Sequence, residues 1–182
     1  MRWLCLTVVA IVALAGCGGS GDDGEAAPAT SSGAAAPGTS SGAPEAAPEK
    51  LRFSGTTLSG ASFSGTSLAG KPAVFWFWAP WCPKCVSEGP AVAKAAGKHK
   101  GEVAFVGIAG LDKSKDRMRG FVERTGTGGL TQLDDRTGAL YKHFKVTSQS
   151  SYVFMKADGS SERVSGPLDE DGVERRVRAL VG

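Results

Sequence analysis

An α/β sheet covered by helices on both faces is the fold class this sequence predicts, and three observations predict it. The run Ala73 to Ala79 is too short for a helix and too apolar for a loop, so it reads as a buried strand. Behind it, β-branched strand-like segments alternate with segments of helical periodicity. Two short strand-like runs then flank Ala157-Asp158-Gly159, a hairpin signal, before a closing amphipathic helix.

Residues 1–50 stand outside that sheet. Met1 to Gly16 carries one charge, at Arg2, and an apolar run from Trp3 to Leu14, the right length for a secretory signal and too short to span a membrane. It ends in Leu14-Ala15-Gly16-Cys17, a bacterial lipobox, so cleavage before Cys17 and diacylglyceryl attachment to its sulfur are expected. An ordinary signal peptide followed by an incidental cysteine is the alternative. More than one acyl chain on one residue anchors stably, which places the protein on the extracytoplasmic face of the cell membrane. After Cys17, residues 18–50 contain Gly, Ser, Ala, Pro, Thr and a few charges, with no apolar side chain larger than Ala. Such a segment cannot bury enough surface to offset its ordering entropy and is expected to be a disordered tether, reaching roughly 30 Å.

Residues 51–182 have the size of one domain. Phe53-Ser-Gly-Thr-Thr-Leu58 and Phe63-Ser-Gly-Thr-Ser-Leu68 predict an N-terminal β-hairpin turning near Ser59-Gly60. Gly70-Lys71-Pro72 breaks the chain before the aromatic strand. Lys84 to about Lys100 is helical, with Gly89-Pro90 a kink, and Glu102 to Ala109 is a second buried strand. Lys113 to Thr125 is a helix burying Met118, Phe121 and Val122, Leu130 to Leu133 a short strand, and Thr137 to Phe144 a short helix. Tyr152 to Lys156 and Ser161 to Val164 form the hairpin, and Leu168 to Val181 the last helix, with Val173, Val177, Leu180 and Val181 inward. The net charge of +3 is spread out, with no basic run carrying interleaved aromatics, so nothing points to nucleic acid.

Four cysteines reduce to one pair: Cys5 leaves with the signal, Cys17 is consumed by lipid, and Cys82 and Cys85 remain. A bridge across so short a loop constrains the unfolded chain little, so chemistry explains the pair better than stability. Pro83 suits the first turn of a helix, and that helix start favours a thiolate by about 0.3 to 2 kcal/mol. Cys82, the more exposed, is the expected nucleophile, and Cys85, one turn in, resolves the mixed disulfide. Lys84 either adds a positive field or is simply solvated. Trp81 either packs over the disulfide or belongs to the core. Glu88, three residues after Cys85 and on the same helix face, either exchanges a proton with the buried thiol or is an ordinary exposed glutamate.

With those residues in view, Trp78 to Pro90, W-A-P-W-C-P-K-C-x-x-E-x-P after Gly70-Lys71-Pro72, resembles the TlpA/ResA/DsbE-like branch of the thioredoxin superfamily. Phe75 to Cys82, Val103 to Asp112 and the lipobox look like the actinobacterial DsbE/DsbF-type secreted thiol–disulfide oxidoreductases. The resemblance covers Leu51 to Val181. It implies a thioredoxin fold, no cofactor beyond the redox-active disulfide, exported proteins as substrates and a membrane redox partner that recycles the pair. By position, Cys82, Cys85 and Glu88 take the nucleophile, resolving and proton-handling roles.

One departure stands out. The family places a cis-proline opposite the cysteines, where Val146-Thr-Ser-Gln149-Ser150-Ser151-Tyr152 has Ser150 instead. Gln149, Ser150 and Ser151 are then the candidate substrate-facing residues. Either the Gln149-Ser150 bond is cis, at about 2.5 to 4 kcal/mol, or it is trans and that backbone is rebuilt. The Ser150 hydroxyl is placed to hydrogen-bond a thiolate, unless the change is a neutral drift.

The rival readings are weaker. Zinc or copper needs more ligands than two cysteines, and His99 and His143 are distant in sequence and read as solvated. Haem attachment needs a histidine where Val86 stands. A peroxidatic site wants a hydroxyl and an arginine framing one cysteine, and Ala79-Pro80 show no sign of it. Oxidation of exported proteins is the favoured activity. Reduction of apocytochrome thiols and a metal carrier using the dithiol are the alternatives.

Overall fold

The computed structural model describes residues 47–182. The expected signal segment, Cys17 and most of the tether lie outside them. The strands are β1 (Ser54–Thr56), β2 (Ser62–Ser64), β3 (Ala73–Trp78), β4 (Ala104–Gly110), β5 (Thr131–Asp135), β6 (Ser151–Met155) and β7 (Ser161–Ser165). The helices are α1 (Pro83–Lys98), α2 (Lys115–Thr125), α3 (Ala139–His143) and α4 (Glu170–Val181). One sheet has the order β5-β4-β3-β6-β7, with β3, β4 and β5 parallel and β6 antiparallel to both its neighbours. This mixed sheet flanked by helices is the thioredoxin fold. β1 and β2 pair antiparallel on their own, and Thr57 bridges to Leu133 at the edge of the main sheet.

The central strand β3 is buried at every position, which is why its sequence shows no polar alternation. Its faces still alternate. Val74, Trp76 and Trp78 meet Val92 of α1, Met118 and Phe121 of α2, and Val173 and Val177 of α4. Ala73, Phe75 and Phe77 meet Ile108, Leu133, Tyr141 and Phe144 on the opposite face. The chain has a fixed course by Ala47: Arg52 Nε donates to the Ala47 carbonyl, and Glu49–Leu51 form a single 3-10 turn.

α1 runs through Pro90 and continues to Lys98. One detail differs from expectation. Val181 is 48% exposed, while Val173 and Val177 are fully buried. Each four-residue step overshoots a helical turn by about 40°, so the third member of that stripe rotates off the core.

His99 is also buried rather than solvated, at 7% exposure. Together with Lys98 and Arg178 it surrounds Glu174 and ties the end of α1 to α4. The hydrogen bond from Lys98, chiefly, with those from Arg178 and His99, holds the Glu174 carboxyl down from 4.5 to about 2 against its desolvation. A depressed folded value means stability that is complete above 4.5 and lost as pH falls toward 2. Urea midpoints of the wild type and Glu174→Gln should therefore differ above that window and converge within it. A pH-independent gap would show that the cluster does not act through charge.

Candidate active site

The aromatic strand ends at Trp78, and Ala79 and Pro80 stay buried as the chain turns toward α1. Cys82 is the N-cap of that helix, Pro83 its first residue, and the Cys85 N–H donates to Cys82 Sγ at 3.1 Å. Cys82 and Cys85 form a disulfide with their Cα atoms 5.3 Å apart. Cys82 is 3% exposed and Cys85 not at all, so the order expected from the sequence holds by a narrow margin. No acidic residue occupies the first turn of α1, and Pro83 and Lys84 are exposed there. The positive end of the helix is thus uncountered where the Cys82 sulfur sits.

Trp81 is not a core residue. It is 53% exposed, and its indole N–H donates to the Leu111 carbonyl at 3.0 Å, on the loop after β4. Leu111 is itself 45% exposed, so the two leave an apolar surface beside the cysteines.

Glu88 is buried, at 1% exposure, which removes the ordinary surface reading. Three donors converge on its carboxylate. The Ser150 hydroxyl reaches Oε2 at 2.8 Å, the Trp76 indole N–H reaches the same oxygen at 3.4 Å, and the Leu168 backbone N–H reaches Oε1 at 2.8 Å. The buried Tyr152 phenol has no hydrogen-bond partner, and burial first, then the nearby Glu88 charge, pushes it up from its ordinary value. Gly166 closes the group: a Cβ there would collide with Glu88 Oε1 and Ser150 Oγ.

The Gln149–Ser150 bond is trans, since Gly166–Pro167 is the one cis bond among the described residues. The backbone is rebuilt instead, with Ser150 at φ +28°. A non-glycine residue there costs about 1 kcal/mol. The Ser150 hydroxyl is donated to Glu88 rather than to a sulfur, and its carbonyl accepts from the Gly166 N–H at 2.7 Å. Gln149 is half-buried, and the buried Ser151 donates its hydroxyl to the Ser148 carbonyl at 2.9 Å.

Among the described residues no three His, Cys, Asp or Glu side chains gather as a metal site. His99 is engaged with Glu174, and His143 Nε2 lies 3.0 Å from the Lys50 carbonyl. Arg124 donates to the Pro80 carbonyl at 3.4 Å and lies over Phe121. Trp76, Tyr152, Gly166 and Leu168 were not singled out from sequence. Trp76 and Tyr152 face each other across β3 and β6, a pairing that period-2 counting finds only once the strand register is known. The Leu168 contribution is a backbone N–H and leaves no sequence signal.

A family model described as the AhpC/TSA family matches residues 45–173. The "soluble secreted antigen MPT53" of Mycobacterium tuberculosis is 43% identical over 138 residues, 74% of this chain and 78% of that protein. A solved structure of MTB dsbF in mixed oxidised and reduced forms is 46% identical with a TM-score of 0.71, covering 74% of this chain and 98% of that one. Another, of a secreted Mycobacterium tuberculosis disulfide oxidoreductase described as homologous to E. coli DsbE, is 42% identical with a TM-score of 0.69, covering 72% and 98%. With the family model spanning both the cysteine helix and the strand that follows Ser150, the chain belongs to the AhpC/TSA family.

Proposed function

We propose that this thiol–disulfide oxidoreductase works outside the cytoplasm, anchored by lipid on Cys17, and oxidises exported proteins with its Cys82–Cys85 disulfide. The observation that carries the reading is the disulfide capping α1, with a buried carboxyl one turn further along the same helix. A substrate thiolate attacks the Cys82 sulfur. The Cys82–Cys85 bond breaks, its electron pair leaves on Cys85, and Cys85 takes up a proton. A second substrate thiolate then attacks the substrate sulfur of the mixed disulfide and expels Cys82 as a thiolate. The substrate loses two electrons and two protons: the electrons reduce the cysteine pair, one proton ends on Cys85, and the other goes to solvent while Cys82 remains a thiolate. Glu88, on the helix face that carries Cys85, exchanges the proton that Cys85 gains on opening and loses on reclosing. A membrane redox partner reoxidises the pair.

The oxidising direction rests on the reduced state. The Cys85 N–H and the uncountered helix start both favour a Cys82 thiolate, and whatever stabilises the reduced form makes the disulfide a stronger oxidant. The location rests on the lipobox at Leu14 to Cys17 and on relatives described as secreted. No helix among the described residues is long and apolar enough to cross a membrane.

Equilibration against the glutathione couple, with Cys82→Ser as the blank, tests the direction, and membrane fractions of cells making Cys17→Ala test the anchor. A potential above that of glutathione and release of the variant from membranes are expected. A potential well below glutathione would make the protein a reductant, the role that apocytochrome reduction would need. An unchanged membrane fraction would remove the lipid.

A further inference from the structure

We infer that Ser150 is a positioning residue for Glu88, a role that rests on the proton-handling function proposed above and names a residue it depends on. The serine has two polar groups whose partners are known, and both are directed inward. Its carbonyl is held by Gly166 and its hydroxyl by Glu88. At 3% exposure it offers substrate little surface. Of the three donors on Glu88, the hydroxyl is the short side-chain contact at 2.8 Å, against 3.4 Å from Trp76. Leu168 holds the other oxygen, so the hydroxyl and the backbone N–H together fix the rotation of the carboxyl plane.

The local structure is shaped for this contact. Ser150 directly precedes β6, and its hydroxyl reaches across to Glu88 on α1. Its backbone there has φ of +28°. Gly166 makes room for the contact, because any side chain there would collide with the Glu88 carboxyl and the Ser150 hydroxyl. A proline at position 150 has no hydroxyl to donate. In this chain the loop opposite the cysteines therefore reaches the proton-handling residue directly, and α1 is linked to the end of β6 through one charge-assisted hydrogen bond.

The test is a double-mutant cycle on the full chain, using Ser150→Ala, Ser150→Gly, Glu88→Gln and the two double variants. The rate of reduction of the Cys82–Cys85 disulfide by dithiothreitol is followed by tryptophan fluorescence as a function of pH. Losing one hydrogen bond to a charged group should change the exchange rate about tenfold in Ser150→Ala and move the midpoint of the pH–rate curve. In the Glu88→Gln background the same change should alter the rate by less than about twofold and leave the curve in place. Ser150→Gly separates hydroxyl from backbone, since it also removes the hydroxyl but accepts a positive φ without cost. It should behave as Ser150→Ala. If Ser150→Gly exchanges like the wild type, the backbone matters and the hydroxyl does not. Equal effects of Ser150→Ala in both backgrounds would mean that the serine acts independently of Glu88. Either result overturns the positioning role while leaving the oxidoreductase intact. A wild-type chain that exchanges nothing with dithiothreitol overturns both.

Discussion

Cys82→Ser is expected to reduce disulfide exchange to the uncatalysed background, and Cys85→Ser to accumulate mixed disulfides when offered a disulfide-bonded polypeptide. The asymmetry follows from where the two sulfurs sit. Cys82 is the cap and the less buried, so it is the sulfur an incoming thiolate reaches, and without it no covalent intermediate forms. Cys85 is fully buried and one turn further along, so its task is to close back onto Cys82. Removing it leaves the Cys82 thiolate able to attack a substrate disulfide and makes the intramolecular return impossible. Non-reducing mass spectrometry after incubation with a disulfide-bonded polypeptide distinguishes the two, because a Cys82 thiolate can attack that disulfide, bond to one of its sulfurs and release the other as a thiolate. Adducts on Cys85→Ser and none on Cys82→Ser are expected. Adducts forming equally on both variants would mean that either sulfur can be attacked, and the assignment of nucleophile and resolving residue would fail.

How much of this arrangement could be read in advance depends on the range of the interaction. The cysteine pair, the helix start at Pro83 and the helix face shared by Cys85 and Glu88 are local, and local spacing determines them. The strands and helices followed from apolar runs and turn chemistry, because a buried parallel strand such as β3 declares itself by composition alone. What composition hides is the direction of each side chain within such a strand. Trp76 and Phe75 look interchangeable in sequence and lie on opposite faces of the sheet. For the same reason the environment of Glu88 was not legible. Its donors come from positions 76, 150 and 168, which only the completed sheet brings together. Ser150 was visible as a departure from a family pattern, but its partner was not. A hydroxyl opposite two cysteines suggested a sulfur, and the fold turned it toward a carboxylate. Trp81 could be read as cover for the disulfide or as core, and the core reading falls because the turn at Ala79-Pro80 has already left the sheet.

The largest loss of stability is expected from Trp78→Ala. Trp78 is fully buried and stacks on Phe121 of α2 with ring centroids 4.2 Å apart. Truncating so large a buried aromatic costs about 3–5 kcal/mol, a substantial share of the roughly 5–15 kcal/mol that holds an ordinary domain together. A polar loss adds to this. The indole N–H donates to Gln132 Oε1 at 3.0 Å, and Gln132 in turn donates to the Thr127 carbonyl at 2.9 Å, so the pair joins β3 across β4 to the turn after α2. Gly107 lies beneath that bond, where a side chain would block it. Trp78→Phe separates the two contributions, because it keeps an apolar ring against Phe121 and orphans only the buried Gln132 oxygen, at about 1–3 kcal/mol. Urea unfolding should rank the wild type above Trp78→Phe and Trp78→Phe above Trp78→Ala, with most of the loss in the second step. Equal losses in both variants would move the weight from stacking to the hydrogen bond, and an alanine variant within about 1 kcal/mol of the wild type would show that the core closes over the gap. Because Trp78 is also the last residue before the turn into the cysteines, exchange rates on the folded fraction of Trp78→Phe report how far the active-site loop depends on a rigid strand end. A rate unchanged from the wild type would place that rigidity in Ala79 and Pro80, which are themselves buried.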